Sequence, residues 1–259
     1  MGTPGKLSTI SDWSDLWAQT SKVRLQFDPE RPSFRDLHRL FQKTLPKDSR
    51  LRMLEVGCYP GRYLWYFNRY FGYQVSGLEY VDCCCRATVE NLREMRLDGK
   101  IIHADIFRYE PPPPVRCWDV VASFGFVEHF ENTALVLGKH LDLLKPGGYL
   151  VIIIPNHHGI YGRILRAADP EKYRIHNLMP YQPIADALRA AGTEVLEEGY
   201  YGRIGFWNCG LYQRLHRLGR LTYFAVRAPL AAVEHLGRII PNSHLLSPNA
   251  AVVARKRID

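Results

Sequence analysis

The 259-residue chain has no apolar run near the ~20 residues a helix needs to cross a bilayer, which argues against stable membrane insertion. Its first residues lack the apolar core of a secretory signal, and Met1-Gly2 is followed by Lys6 where a myristoylation signal has Ser or Thr. Cysteine is sparse and poorly spaced for structural use. Of the six, Cys83, Cys84 and Cys85 are consecutive, while Cys58, Cys117 and Cys209 stand alone. That pattern fits neither a disulfide framework nor the C-x-x-C pairs of a zinc site. Small buried thiols in a reduced, cytoplasmic protein are the expectation. Charge of one sign is not gathered either. The 34 basic and 26 acidic residues give a formal +8, spread along the chain until the closing Ala-Arg-Lys-Arg. A nucleic-acid binder concentrates such charge in a stripe, so no nucleic-acid partner is expected. Internal repeats and low-complexity tracts are absent. What remains is a chain long enough for one α/β domain with additions.

The most informative stretch is LEVGCYPGRYLWYF, which ends at Phe67. Leu54 and Val56 read as a buried strand, and Gly57 and Gly61 open a turn into an aromatic-rich helix. A second strand, YQVSGLE, ends in Glu79, 22 positions beyond Gly57. Strand, glycine turn, helix and a distant acid form the nucleotide-binding arrangement of open α/β sheets. The glycines let backbone approach a ligand, and the acid accepts from ribose hydroxyls. A dinucleotide site wants G-x-G-x-x-G to meet a pyrophosphate at the helix N-terminus. Here the turn reads Glu55-Val-Gly57-Cys-Tyr59-Pro-Gly61. An acid before the first glycine repels a pyrophosphate and suits a cation, which disfavours an NAD-dependent oxidoreductase.

This run resembles motif I of the class I S-adenosylmethionine-dependent methyltransferases, usually written (D/E)-x-G-x-G-x-G, with Tyr59 as the departure. The segments that follow resemble the family's in order. KIIHAD ends in Asp105, WDVVASFGFVEHF carries Glu128 and His129 beyond a strand, and LKPGGYLVIIIPN is a Pro-Gly-Gly turn feeding an apolar strand. The resemblance spans about residues 51–156. It implies an α/β fold, a doubly wound, mostly parallel seven-stranded sheet with N-terminal helices and a helical cap, and S-adenosylmethionine as cofactor. It also implies roles. Glu55, Gly57, Tyr59 and Gly61 form the cofactor turn, and Glu79 holds the ribose. Tyr80 stacks on the adenine, Asp105 accepts from its amino group, and Ile106 lies beside the ring. Ser123 and Phe124 line the methionine end. Asp105 could instead cap the following turn, and Ser123 could simply end a strand.

Methyl transfer from a sulfonium is an in-line displacement that depends on alignment, and a base helps only where the acceptor must lose a proton. His129, His157 and His158 are the candidate catalytic residues, with His176 a further imidazole. A structural hydrogen bond is the competing role for His129. The resembling quinone-biosynthesis O-methyltransferases carry E-x-x-E-H, which can hold a divalent cation. This chain has Gly125-Phe-Val-Glu128-His129, and two ligands make a poor site for a hard cation, so no metal is expected.

Four regions are expected: an N-terminal helical lid over 1–50, the cofactor-binding core over 51–202, a helical substrate cap over 203–248, and a final strand and tail over 249–259. The lid carries Trp13, Leu16 and Trp17 at helical spacing, then FRDLHRLFQKTL. Pro111–Pro114 reads as an extended spacer, and 157–180 as an irregular stretch. The cap is rich in Leu211, Leu215, Leu218, Phe224 and Leu230, with Arg203, Arg214, Arg217 and Arg220 among them. It suggests a pocket for a small-molecule acceptor, apolar with an anionic group; a helical buttress or dimer face is the alternative. The expected activity is methylation of a small molecule at oxygen, with nitrogen and carbon acceptors open. The rival is a non-catalytic partner protein of the same fold.

Overall fold

The computed structural model describes residues 5–9, 11–13, 25–111, 118–207 and 209–258. Leu16, Trp17, Pro112–Pro114 and Cys117, on which expectations were placed, lie outside them.

The sheet has seven strands: β1 (Arg52–Val56), β2 (Gln74–Glu79), β3 (Gly99–His103), β4 (Trp118–Phe124), β5 (Leu144–Pro155), β6 (Thr193–Tyr201) and β7 (Asn249–Lys256). Their order is β3-β2-β1-β4-β5-β7-β6, and β7 alone runs antiparallel to its neighbours. The doubly wound, mostly parallel sheet is therefore as expected. The order reverses between β1 and β4, where Val56 pairs with Ser123 at the carboxyl ends. That is where ligands bind in such sheets.

Period-two alternation sends successive strand residues to two cores. Leu54, Val121 and Ile152 pack on one face with Leu137 and Ile184, from helices α4 (Thr133–Leu143) and α7 (Gln182–Ala190). Met53, Ala122 and Val151 pack on the other with Leu37 and Phe41 of α1 (Pro32–Thr44) and Tyr66 and Phe67 of α2 (Arg62–Phe71). The helix α3 (Asp82–Glu94) follows β2. It buries Cys84 and Cys85, as expected of the thiols, but leaves Cys83 exposed because three consecutive helical positions cannot share one face.

One expectation is corrected. The stretch after β5 is helical in two pieces, α5 (Ile160–Ala168) and α6 (Pro170–Arg174). Tyr161, Leu165 and Ala168 recur at buried helical spacing, and the Asp169 side chain accepts from Lys172 N with Pro170 starting the new helix. Residues 203–248 are helical as expected, with α8 (Leu211–Arg217), α9 (Arg220–Leu236) and a 3-10 turn at Gly237–Ile239. Phe206 packs on Tyr161 and Leu215 is buried, but Leu218 and Phe224 face outward. The apolar residues of this segment therefore divide between an inward and an outward side. Arg203 is taken by Asp36, at 3.1 Å, and by Ile240 O, so it is not a free anion ligand.

Candidate active site

Gly57 closes β1 with φ +72°, and its N–H donates to Leu78 O at 2.8 Å. A Cβ there would lie 2.8 Å from a ring carbon of Phe126, so only glycine lets the loop after β4 lie on this turn. Gly61, at φ +91°, starts α2 at the position where a side chain would press on Thr88 and Leu92. Glu55 is buried at the turn, and burial raises its pKa well above the usual carboxylate range. Among the described residues its Oε2 meets no donor, and the buried Ser123 hydroxyl has no partner.

Glu79 ends β2 with Oε1 accepting from Tyr80 N (2.8 Å) and Val81 N (3.0 Å), and Oε2 from Tyr59 N at 3.4 Å. Burial raises its pKa, against these three backbone donors and the Lys6 ammonium. Tyr59 thus enters the site through its backbone, tying the first turn to the acid of the second. Asp105 follows β3 and accepts from Phe107 N at 3.0 Å, so it does cap its turn; the buried Ile106 lies beside it. Phe124, half-buried at the end of β4, points to the face opposite Ser123 and stacks on Tyr63 in the first turn of α2, ring centroids 3.6 Å apart.

Sequence reasoning missed Lys6. An isolated pairing of Lys6 with Phe130, and Leu7 N donating to His129 O at 2.9 Å, lay the N-terminal segment across the loop after β4. The Lys6 ammonium then sits 3.8 Å above the Tyr80 ring, facing Asp105 and Glu79. No local pattern marks a lysine 73 positions before its carboxylate as a site residue.

The histidines gather as a cluster. His129 and His176 ring centroids are 4.4 Å apart, and those of His176 and His157 are 4.9 Å apart. All three are buried, whereas His158 is exposed. His129 Nδ1 lies 2.7 Å from Ile175 O and His176 Nδ1 2.6 Å from Lys172 O. A carbonyl only accepts, so both rings carry their proton on Nδ1 and present a bare Nε2. Burial pushes His129 well below its ordinary value, His176 down to about 4 and His157 to about 2. Glu128, buried beside His129 with Oε1 3.8 Å from Nε2, is pushed up to about 8 by burial, and neither oxygen meets a donor among the described residues.

The expectation of no metal counted Glu128 and His129 alone. The fold adds His176, and one ligand atom from each of the three lies within 4.8 Å of the others. Gly125 has φ +73°, with Glu128 Oε1 3.4 Å from where its Cβ would be. An acid at that position would be strained and would face a second carboxylate.

The unpartnered Glu55 and Ser123 oxygens and the glycine cradle fit a ligand with a cationic amino acid end and an adenosine, as S-adenosylmethionine has. Comparison with known proteins agrees. A family model described as a methyltransferase domain matches residues 27–198. A ubiquinone biosynthesis O-methyltransferase of Bradyrhizobium sp. (strain ORS 278) is 31% identical over 120 residues, 45% of this chain and 44% of that protein. One of Leptothrix cholodnii is 26% identical over 165 residues, 60% of this chain and 64% of that protein. The chain thus spans less than two thirds of these relatives' length. Among solved structures, the [4+2]-cyclase SpnF shares the fold at a TM-score of 0.63 and 16% identity, covering 100% of this chain and 98% of that one. A putative sarcosine dimethylglycine methyltransferase of Galdieria sulphuraria does so at 0.58 and 14%, covering 86% and 83%. The fold alone thus hosts more than one chemistry. With most of the chain matched by the methyltransferase-domain model, and its first glycine turn preceded by a buried acid, this protein belongs to the class I S-adenosylmethionine-dependent methyltransferase family.

Proposed function

We propose that the protein transfers the methyl group of S-adenosylmethionine to a hydroxyl of a small amphipathic or aromatic metabolite. The observation that carries this reading is the buried Glu128–His129 pair beside His176, with the imidazole Nε2 atoms left bare by their Nδ1 hydrogen bonds. A hydroxyl, unlike a thioether or tertiary amine, must lose a proton as it is methylated, and such a pair accepts one. When bound, the cofactor supplies an electrophilic methyl group. Glu55, Ser123 and the Gly57 turn would hold its amino acid end, and Glu79, Tyr80, Asp105 and Ile106 its adenosine. To take that proton, the accepting atom of Glu128 or His129 must itself be unprotonated.

An acceptor with an anionic group is supported by arginines beside the cluster. A cleft of about 530 Å³ is lined by His157, His158, Arg163, Arg166, Tyr173 and Leu178. These arginines, on α5, take the role that the sequence assigned to the insertion. The lid role of the N-terminal region is supported by Lys6 above Tyr80. The cap role of 203–248 is supported by His244, which shares a second cleft with His158 and Tyr200.

The test is to supply methyl-labelled S-adenosylmethionine with a panel of hydroxyaromatic acids, matched amines and thiols, and to identify products by mass spectrometry. Methyl ethers are expected, with His129→Ala lowering kcat by ~10²-fold or more at unchanged cofactor affinity. N-methyl products alone would overturn oxygen as the acceptor. Cofactor binding without turnover on any panel member would favour the non-catalytic partner.

A further inference from the structure

Helix α9 spans 17 residues and buries none of them. Its outward side is apolar: Leu221 is 89% exposed, Phe224 62% and Leu236 69%, with Leu218 (58%) before the helix and Ile239 (88%) after it. Ala225, Ala228 and Ala232 fill the intervening helical positions. Steps of three and four residues make this one continuous stripe about five turns long. A soluble helix turns such a stripe inward. Here the inward side is Leu230, Tyr223 and Arg227, with Glu234 accepting from Tyr212 Oη (2.9 Å) and Phe206 N (3.1 Å) and pairing with Arg227. Those contacts fix which face looks out.

The charge around the stripe has one sign. Residues 211–240 hold five arginines and one acid, Glu234, which is already engaged on the inner side. Arg214, Arg217, Arg220 and Arg238 are exposed beside the apolar residues. A second copy of the chain would set these arginines against their own kind. An anionic surface would neutralise them while the apolar stripe leaves water. An apolar face with arginines along its border and no membrane-spanning length is the pattern of an interfacial helix.

We propose that α9 and its flanking turns form a peripheral docking element for an anionic phospholipid bilayer. Position gives this a consequence. The insertion leaves the sheet at Tyr201 and returns at Asn249, which pair with each other, and Asn249 also pairs with Pro155 at the end of β5. Both ends therefore lie on the carboxyl edge of the parallel strands, the side of the candidate active site. Docking through α9 turns that edge toward the lipid. The proposal rests on the helix surface and stands whichever acceptor is methylated.

The experiment is flotation of the full chain with vesicles of phosphatidylcholine alone and of phosphatidylcholine mixed with phosphatidylglycerol. Binding is expected to the mixed vesicles, weakly or not at all to the neutral ones, and to fall with added salt. Phe224→Asp and Leu221→Asp should each lower partitioning by about ten-fold. Arg217→Ala and Arg220→Ala should each lower it by roughly five-fold. Melting temperature and S-adenosylmethionine affinity should be unchanged, because the replaced side chains are exposed. Equal flotation of the aspartate variants, or no binding to mixed vesicles, would overturn the proposal. So would a dimer in light scattering that Leu221→Asp dissociates, since a second copy would then be what covers the stripe.

Discussion

Single side chains carry the site's chemistry, and two of them make predictions of opposite kinds. Glu128, His129 and His176 could be read as a cation site, but the half-buried Lys172 supplies a positive charge that acts on all three. A divalent cation there would have to enter a dry pocket against an ammonium. Turnover should therefore survive exhaustive chelation, and elemental analysis should find less than one metal per chain. Activity lost to chelator and restored by magnesium would reassign the cluster to a metal. His140 is remote from this chemistry and bears on stability. It is fully buried, its Nδ1 bonded to Val136 O at 2.8 Å, and burial pushes it down to about 4. The unfolded chain binds a proton near pH 6.5 that the folded chain refuses until about pH 4. Stability is thus complete above pH 6.5 and is lost as pH falls toward 4, by about 3 kcal/mol for this group. Urea unfolding at several pH values should show His140→Asn with a flatter decline than the wild type across that window; parallel curves would remove His140 from the acid response. The sequence marked Glu55, Glu79 and Asp105 because each lies at or just beside the carboxyl end of a strand, at a fixed place in a recurring pattern. It could not mark Lys6 or join His176 to His129, since those contacts are made by chain segments brought together only in the fold.

At the scale of elements, the strands and the glycine turn were legible because alternation and an apolar run report burial directly. Helices α5 and α6 were not, although Asp169-Pro170 is a helix start that could have been read. The insertion was legible as helical but not in its orientation, for a related reason. Leucine and phenylalanine at helical spacing say that one face is apolar, not whether that face is covered. What anchors the insertion is its return, where the buried Asn156 donates to His244 O (2.7 Å) and Ser247 O (2.8 Å) and accepts from Gly159 N (3.2 Å). Tyr161 adds a bond to Leu246 O at 2.6 Å. Asn156→Ala leaves two carbonyls and an N–H without that partner in a closed place. It should lower the unfolding free energy by about 3 kcal/mol, with the denaturant slope unchanged. Limited proteolysis should also cut earlier within 242–247. A variant with wild-type stability and the same cleavage pattern would show the return to be held elsewhere.

Across the whole molecule, the candidate site joins the two halves of the sheet with a segment from the far N-terminus. The Lys6 ammonium lies over Tyr80, where burial lowers its pKa against the pull of Asp105 and Glu79. These are the side chains proposed to hold adenosine, so an entering cofactor meets a cation already resting on the ring it would stack against. Displacing that cation gives up one cation–π contact and two attractions to carboxylates, while the Gly5–Glu131 and Leu7–His129 backbone bonds can stay in place. A net cost near 1 kcal/mol corresponds to roughly five-fold in affinity. Lys6→Ala should therefore bind S-adenosylmethionine about five-fold more tightly by calorimetry, whereas Glu79→Ala should bind it ten-fold or more weakly. The double variant should show less than the sum, because Lys6 and Glu79 face each other. Weaker binding by Lys6→Ala would reverse the assignment, making the N-terminal segment a clasp that closes on the bound cofactor rather than a cover it must move.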